Sequence, residues 1–208
     1  MAMIFATPRA ALPSRKAVMT TDDKFACAEL IQAWGLYRDQ RRWPELLATF
    51  HPDGEIAVSW FRGPFREFVE HCKRGGPSKH LISPSVVRLN GERALAETSI
   101  VILVRQTIDG VAVDMTSRGR FLDRIERRQG QWRIRERAAI YEQDRLDPVE
   151  PSEAFTRLMQ SSAAANYPEP YRYMAVRLAA AGRPLAEPVH HDGSAATTEL
   201  YARYEAWL

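Results

Sequence analysis

Three glycine turns in quick succession constrain this chain more than any other feature. Across residues 79–144, "KHLISPSVVRLNGERALAETSIVILVRQTIDGVAVDMTSRGRFLDRIERRQGQWRIRERAAIYEQD", the pairs Asn90-Gly91, Asp109-Gly110 and Gln129-Gly130 each stand between runs of β-branched and aromatic residues. A tight hairpin needs positive φ at its centre, which glycine adopts without steric cost and asparagine or aspartate tolerates. The pattern therefore predicts four long strands in an antiparallel meander. Pro84 has no N–H to give to a ladder, so the first of the four is expected to be bulged or to lie partly at an edge.

Helical signals come first in the chain. "TDDKFACAELIQAWGLYRDQRRW" opens with a cap residue and two acids, then sets Cys27, Leu30, Ile31, Trp34 and Tyr37 at helical spacing, which predicts an amphipathic helix ending near Asp39. "PELLATF" reads as a second, short helix opened by Pro44, "GEIAVSWF" as a strand, and "PFREFVEHCKR" as a third helix closed by Gly75 and Gly76. Helices followed by a curled antiparallel sheet make an α+β arrangement in which the helices cover one face of the sheet. Along residues 94–105 both alternating sets are apolar: Ile100, Ile102 and Val104 on one face, Val101 and Leu103 on the other. One set can face the helices or a cavity. The other also needs cover, which predicts a homodimer formed through the sheet.

The ends differ in texture. Residues 1–20 hold two prolines, scattered basic residues and no apolar period, as expected for a disordered arm, with Met19 an alternative start of translation. Residues 21–147 form the main domain. Residues 148–208 are rich in Pro, Ala and Ser and contain three stretches of helical spacing, which predicts a helical extension packed on the main domain or on a neighbour.

Composition excludes several classes of function. Lys and Arg (29) barely outnumber Asp and Glu (26), and they are dispersed, so nucleic acid is not an expected partner. No segment approaches the roughly 18 consecutive apolar residues of a membrane span, and the opening lacks the apolar run of a secretory signal. The expectation is a cytoplasmic protein with no membrane partner. Cys27 and Cys72 fit no metal or redox spacing, His190-His191 lacks nearby acids or cysteines at ligand spacing, and no nucleotide fingerprint occurs, so no metal and no cofactor is expected.

"YRDQRRWPELLATFHPDGEI", "GPFREFVEH", "SKHLISPSVVRLNGERALAETSIVIL" and "GRFLDRIERRQGQWRIRERAAIY" together resemble the SnoaL-like branch of the nuclear transport factor 2-like (NTF2-like) superfamily over roughly residues 22–146. The resemblance implies a cone-shaped α+β barrel: a strongly bent antiparallel sheet around a pocket, closed by three helices. The superfamily includes scytalone dehydratase, lindane dehydrochlorinase, steroid isomerases and polyketide cyclases, and also domains without catalysis. It implies that Asp39 occupies the pocket-aspartate position and His80 the position of the base. Val104, and Val58 or Ser59, stand where the scytalone enzyme has its second histidine and a strand tyrosine.

Each residue also has a plainer reading. Asp39 can be a solvated acid beside Arg38, Arg41 and Arg42, although an acid in the last helical turn opposes the macrodipole and calls for compensation. His80 can be a strand-start histidine satisfied by backbone; it shares its alternation face with Ile82 and so points into apolar space. His51 and His71 read as surface residues, and Arg118, Arg120 and Asp123 as an outer salt-bridge ladder. Tyr37, Trp60 and Tyr141 are the aromatics expected to line the pocket and hold a substrate oxygen. The expected function is a cofactor-independent lyase or isomerase of dehydratase type, with His80 and Asp39 transferring protons on a small, largely apolar, oxygenated molecule. The rival is a non-catalytic NTF2-like module that binds a ligand or a protein. An open cavity beside the imidazole would separate the two.

Overall fold

In the computed structural model, which describes residues 20–161 and 163–208, a reciprocal cap starts the first helix. The Thr20 hydroxyl accepts the Asp23 N–H at 3.2 Å while the Asp23 carboxylate accepts the Thr20 N–H at 3.1 Å. The arm expected over residues 1–20 lies outside the described residues apart from Thr20 itself. From this cap α1 (Thr21–Asp39) buries Cys27, Ile31, Trp34 and Arg38 along one stripe. There follow α2 (Trp43–Ala48), β1 (Phe50–Val58), β2 (Phe61–Pro64), α3 (Phe65–Arg74), β3 (Lys79–Ile82), β4 (Val86–Asn90), β5 (Arg93–Ile108), β6 (Val111–Arg128) and β7 (Gln131–Pro148).

The meander forms as its turns require. Gly91, Gly110 and Gly130 have φ of 61°, 80° and 79°, and Asp109 and Gln129 take positive φ beside the latter two. The chain departs from the ladder around Pro84, which splits the first strand into β3 and β4; both pair with β5 at the margin of the sheet. The sheet order is β2-β1-β7-β6-β5-β3, and the sheet is curved and unclosed. Its pairs are antiparallel except β1 with β7, which is parallel, a departure from the uniformly antiparallel sheet expected.

Two register shifts on β6 against β7, at Arg118/Gly119 and Arg124/Ile125, give the sheet its bend. At the first of them the backbone of β7 crosses so closely that a Cβ on Gly119 would lie 2.2 Å from the Ile140 carbonyl oxygen. The concave face carries Ile100, Phe121, Ile134 and Ala139 against α1 and against Phe65, Phe68 and Val69 of α3.

Beyond the sheet come α4 (Glu153–Ser161), α5 (Arg172–Ala180) and α6 (Ala195–Trp207). Asp144 of β7 caps α5, its carboxylate accepting the Met174 N–H at 2.7 Å. On the convex face α6 sets Leu200 and Tyr204 onto Ala57, Leu95, Leu122, Ala138 and Ile140. Part of the cover expected from a second copy is thus supplied by the chain itself. Leu81, half exposed, marks the part of that face that α6 leaves open.

Gly119→Ala is expected to cost about 1–3 kcal/mol, because a methyl group there meets backbone that cannot rotate away. Thermal unfolding of the variant beside a Gly76→Ala control, where a Cβ meets nothing within 4 Å and φ is not positive, separates this close approach from the loss of glycine's conformational freedom.

Candidate functional site

Gly35 lets β3 lie against α1. A Cβ at this position would stand 2.3 Å from Ile82 Cδ1 and 3.1 Å from Ile82 Cγ1. One helical turn further along α1 is Asp39, and two residues back along β3, on the same face, is His80. Helix and strand run in opposite senses, so Gly35 faces Ile82 and Asp39 faces His80. Both carboxylate oxygens are used: Oδ2 accepts the His80 backbone N–H at 2.8 Å, and Oδ1 stands 2.6 Å from the ring Nδ1.

The surroundings settle the electrostatics. The Asp39 and His80 side chains are 5% and 8% exposed. Burial by itself would raise the Asp39 carboxyl; the two hydrogen bonds from His80, with the charges of His80 and Lys79, outweigh it and hold the group below the ordinary carboxylate range. Burial pushes the His80 imidazole below its ordinary value, against the pull of Asp39 and with the push of Arg38 and Arg137. An ionised Asp39 therefore faces a neutral ring. It draws the ring proton to Nδ1 and leaves the Nε2 lone pair free of any hydrogen bond among the described residues.

That lone pair borders a cavity of about 330 Å³. Trp34, Trp60, Phe68, Ile102, Phe121 and Tyr141 give it largely apolar walls, and Trp34 packs edge-on to the imidazole at 5.4 Å. The Tyr141 hydroxyl donates to Ser59 Oγ at 2.9 Å and accepts the Ser59 N–H at 3.0 Å, so β7 brings a phenol to the very stretch of chain where the sequence lacks a strand tyrosine. Burial raises its pKa above the ordinary tyrosine value.

Tyr37 is not in this cavity, contrary to expectation. Three residues advance about 300° round a helix, so it sits about 60° from Trp34 and faces a shallow groove with Leu30, Ala33 and Trp132. There the Arg42 guanidinium lies 4.6 Å over its ring.

Asp123 also departs from the reading of the sequence. Arg120 does lie in an outer ion network with Glu97, Glu142 and Asp192. Asp123 points the other way, into the core, where it and Arg137 are both fully buried and joined by two hydrogen bonds of 2.7 and 2.8 Å. The Arg137 guanidinium is stacked 4.0 Å from the Phe121 ring and 4.5 Å from Trp34. Strand alternation with Phe121 carries the signal for this inward placement, but charge alone suggests the surface.

The other histidines take varied places. His51 is buried, its Nε2 3.0 Å from the Glu126 carbonyl oxygen, and not on the surface as expected. His71 is exposed at the mouth of the cavity, and His190 is buried 3.3 Å from Arg62. Burial raises the Cys27 and Cys72 thiols to about 12 and about 11, which leaves both protonated and unreactive at neutral pH. Among the described residues no group of three or more His, Cys, Asp or Glu is placed to hold a metal ion, and no helix is long and apolar enough to cross a membrane.

A bent sheet folded over helices, with a cavity at its concave face, defines the NTF2-like class. The SnoaL-like domain family matches residues 19–138, more than half of the chain, and the protein belongs to that family. Pea pathogenicity protein 2 of Fusarium vanettenii is 26% identical over 175 residues, covering 81% of this chain and 74% of the relative. Among solved structures, a candidate scytalone dehydratase from Novosphingobium aromaticivorans superposes with a TM-score of 0.52 at 16% identity, over 64% of this chain and 96% of the other. The hexachlorocyclohexane dehydrochlorinase LinA type 2 does so with a TM-score of 0.50 at 14% identity, over 63% and 91%. At these identities the structural likeness concerns the fold.

In an NMR titration the His80 ring is expected to protonate below pH 6.5. Asp39→Asn should lower its midpoint further, because the substitution removes the contributions that raise it while leaving the burial that lowers it. A midpoint at or above 6.5 that Asp39→Asn leaves unmoved would contradict the coupling.

Proposed function

We propose that the protein is a cofactor-independent lyase or isomerase of dehydratase type, acting on a small, largely apolar, oxygenated molecule. The observation that carries this reading is the free Nε2 of an imidazole whose Nδ1 is 2.6 Å from a buried carboxylate and whose open side borders the 330 Å³ cavity. Family membership agrees with this reading and leaves the reaction open.

In this reading Nε2 removes a proton from a carbon next to the carbon bearing the leaving oxygen. The C–H electron pair forms the new double bond, the C–O bond breaks, and the proton on Nε2 passes to the departing hydroxyl, which leaves as water. Asp39 stabilises the imidazolium that exists between the two transfers. In an isomerisation the same proton returns to a different carbon. Trp34, Trp60 and Phe121 exclude water, which strengthens the pairing of imidazolium and carboxylate. The rival, a ligand-binding module without catalysis, has less use for a neutral imidazole with an unoccupied nitrogen in an open hollow.

Incubation with a panel of ring alcohols and hydroxyketones, followed by mass spectrometry, should yield a product lighter by one water, or an isomer separable by chromatography. His80→Ala is expected to slow turnover by about 10²–10⁴-fold and Asp39→Asn by about 10²-fold or more. The wild-type kcat/KM should stay level through neutral pH and fall as pH drops below 6.5 through the depressed His80 pKa, since only the neutral ring accepts a proton. Turnover that survives His80→Ala unchanged would refute the reading.

A further inference from the structure

The wall of the cavity remote from His80 is built from the C-terminal segment and adds two guanidinium groups to those that Arg38, Arg74 and Arg105 bring to the lining. Arg177 of α5 and Arg183 just beyond it line the cavity together with Gln106 of β5. Gln106 is four residues along β5 from Ile102, the partner of His80 in the ladder, a rise of roughly 13 Å. The Arg177 Nε is buried without a hydrogen-bond partner. Its Nη1 has a single long contact, 3.4 Å to Gln106 Oε1. Neither Arg177 nor Arg183 forms an ion pair among the described residues, whereas Arg105, at the rim of the same cavity, is paired with Asp114 at 2.6 Å. Among the described residues no aspartate or glutamate lines the cavity.

This arrangement is costly for a protein on its own. A guanidinium taken out of water needs a compensating anion, and buried charges in proteins are almost always paired. The contrast with Arg137 is direct: that guanidinium is buried more deeply, yet Asp123 neutralises it through two hydrogen bonds. Burial, with the neighbouring charge of Arg183, already lowers the pKa of Arg177.

We infer that the substrate or ligand of this cavity carries a carboxylate, which Arg177 binds with support from Arg183 while the apolar body of the molecule extends toward His80. The inference takes as its starting point the reading of the cavity as a substrate site. A carboxylate supplies the negative charge that the partly buried guanidinium lacks, and its two oxygens match the planar fork of donors. Both arginines lie outside residues 19–138, so the selectivity belongs to the extension and not to the stretch that defines the family.

The test uses 2-naphthoate and 2-naphthamide, which share a body and differ in charge, with binding to the full-length protein followed by calorimetry. Naphthoate is expected to bind at least tenfold more tightly. Arg177→Met should bring the two close to equal by weakening naphthoate while leaving naphthamide unchanged, which also reports that the cavity is intact. Because the substitution removes an unpaired, partly buried charge, the ligand-free variant should melt no lower than the wild type, and naphthoate should raise the melting temperature of the wild type more than that of the variant. Equal affinity for the two probes in the wild type, a preference that persists in Arg177→Met, or a variant that unfolds without ligand would each overturn the inference. His80→Ala separates it from the proposed chemistry. A carboxylate preference that survives there, beside turnover that does not need His80, would leave the anion site standing and the lyase reading refuted.

Discussion

One carboxylate holds the geometry on which the site depends. Asp39 grips residue 80 twice, by its backbone N–H and by its ring, so the start of β3, the rotamer of the imidazole and the end of α1 are fixed by the same group. A slip of one residue in β3 would turn the imidazole to the convex face and Leu81 into the cavity. The two hydrogen bonds that Asp39 accepts and the missing side chain at Gly35 both act against that slip, the first by attraction and the second by allowing the approach. The acid that opposes the helix dipole at the end of α1 thus finds its compensation in two donors from β3.

Beneath and beside that grip the molecule treats its buried charges in two ways. Arg137 and Asp123 neutralise each other between aromatic rings, giving the cavity a polar, charge-paired foundation next to Trp34. Arg137, the positive member of the pair, adds through space to the burial that holds the His80 pKa down, without touching the ring by hydrogen bond. Arg177 has no such partner among the described residues, and neither has the buried Arg38. A stable fold tolerates an unpaired desolvated cation at a cavity wall far better than in a close-packed interior, since the cavity admits water or a ligand.

Much of the architecture could be read from residue patterns because it is set locally. The end of α1 at Asp39, the three hairpin turns and the break at Pro84 all follow from the conformational preferences of one or two residues, while the cap falls at Thr20, one residue before the Thr21 at which the pattern starts. Placements decided by tertiary packing could not be read so directly. Tyr37 belongs to the apolar stripe of α1 by spacing, yet 60° of rotation decides between cavity and outer groove, and amphipathic pattern does not resolve that angle. Asp123 and His51 are polar and therefore suggest the surface, while their buried partners, Arg137 and the Glu126 carbonyl, lie 14 and 75 residues away. The parallel pairing of β1 with β7 is likewise nonlocal, since no turn joins the two strands. The nearness of Asp39 to His80 followed from family likeness; spacing alone carries no sign of a contact between residues 41 apart.

The order of the elements along the chain has a consequence for how the hollow is made. Asp39 and His80 belong to its first half, the sheet is complete at Pro148, and the segment bearing Met174 and Arg177, which hangs on Asp144, comes last. Since a nascent chain leaves the ribosome from its N-terminus, the imidazole and its acid can meet while that side of the hollow still stands open to solvent. The final sixty residues add the wall that carries Met174 and Arg177. Maturation of such a protein would therefore end with the walling of its hollow, and a chain cut short after the sheet would keep its proton-handling groups but lose the side chains of the last wall.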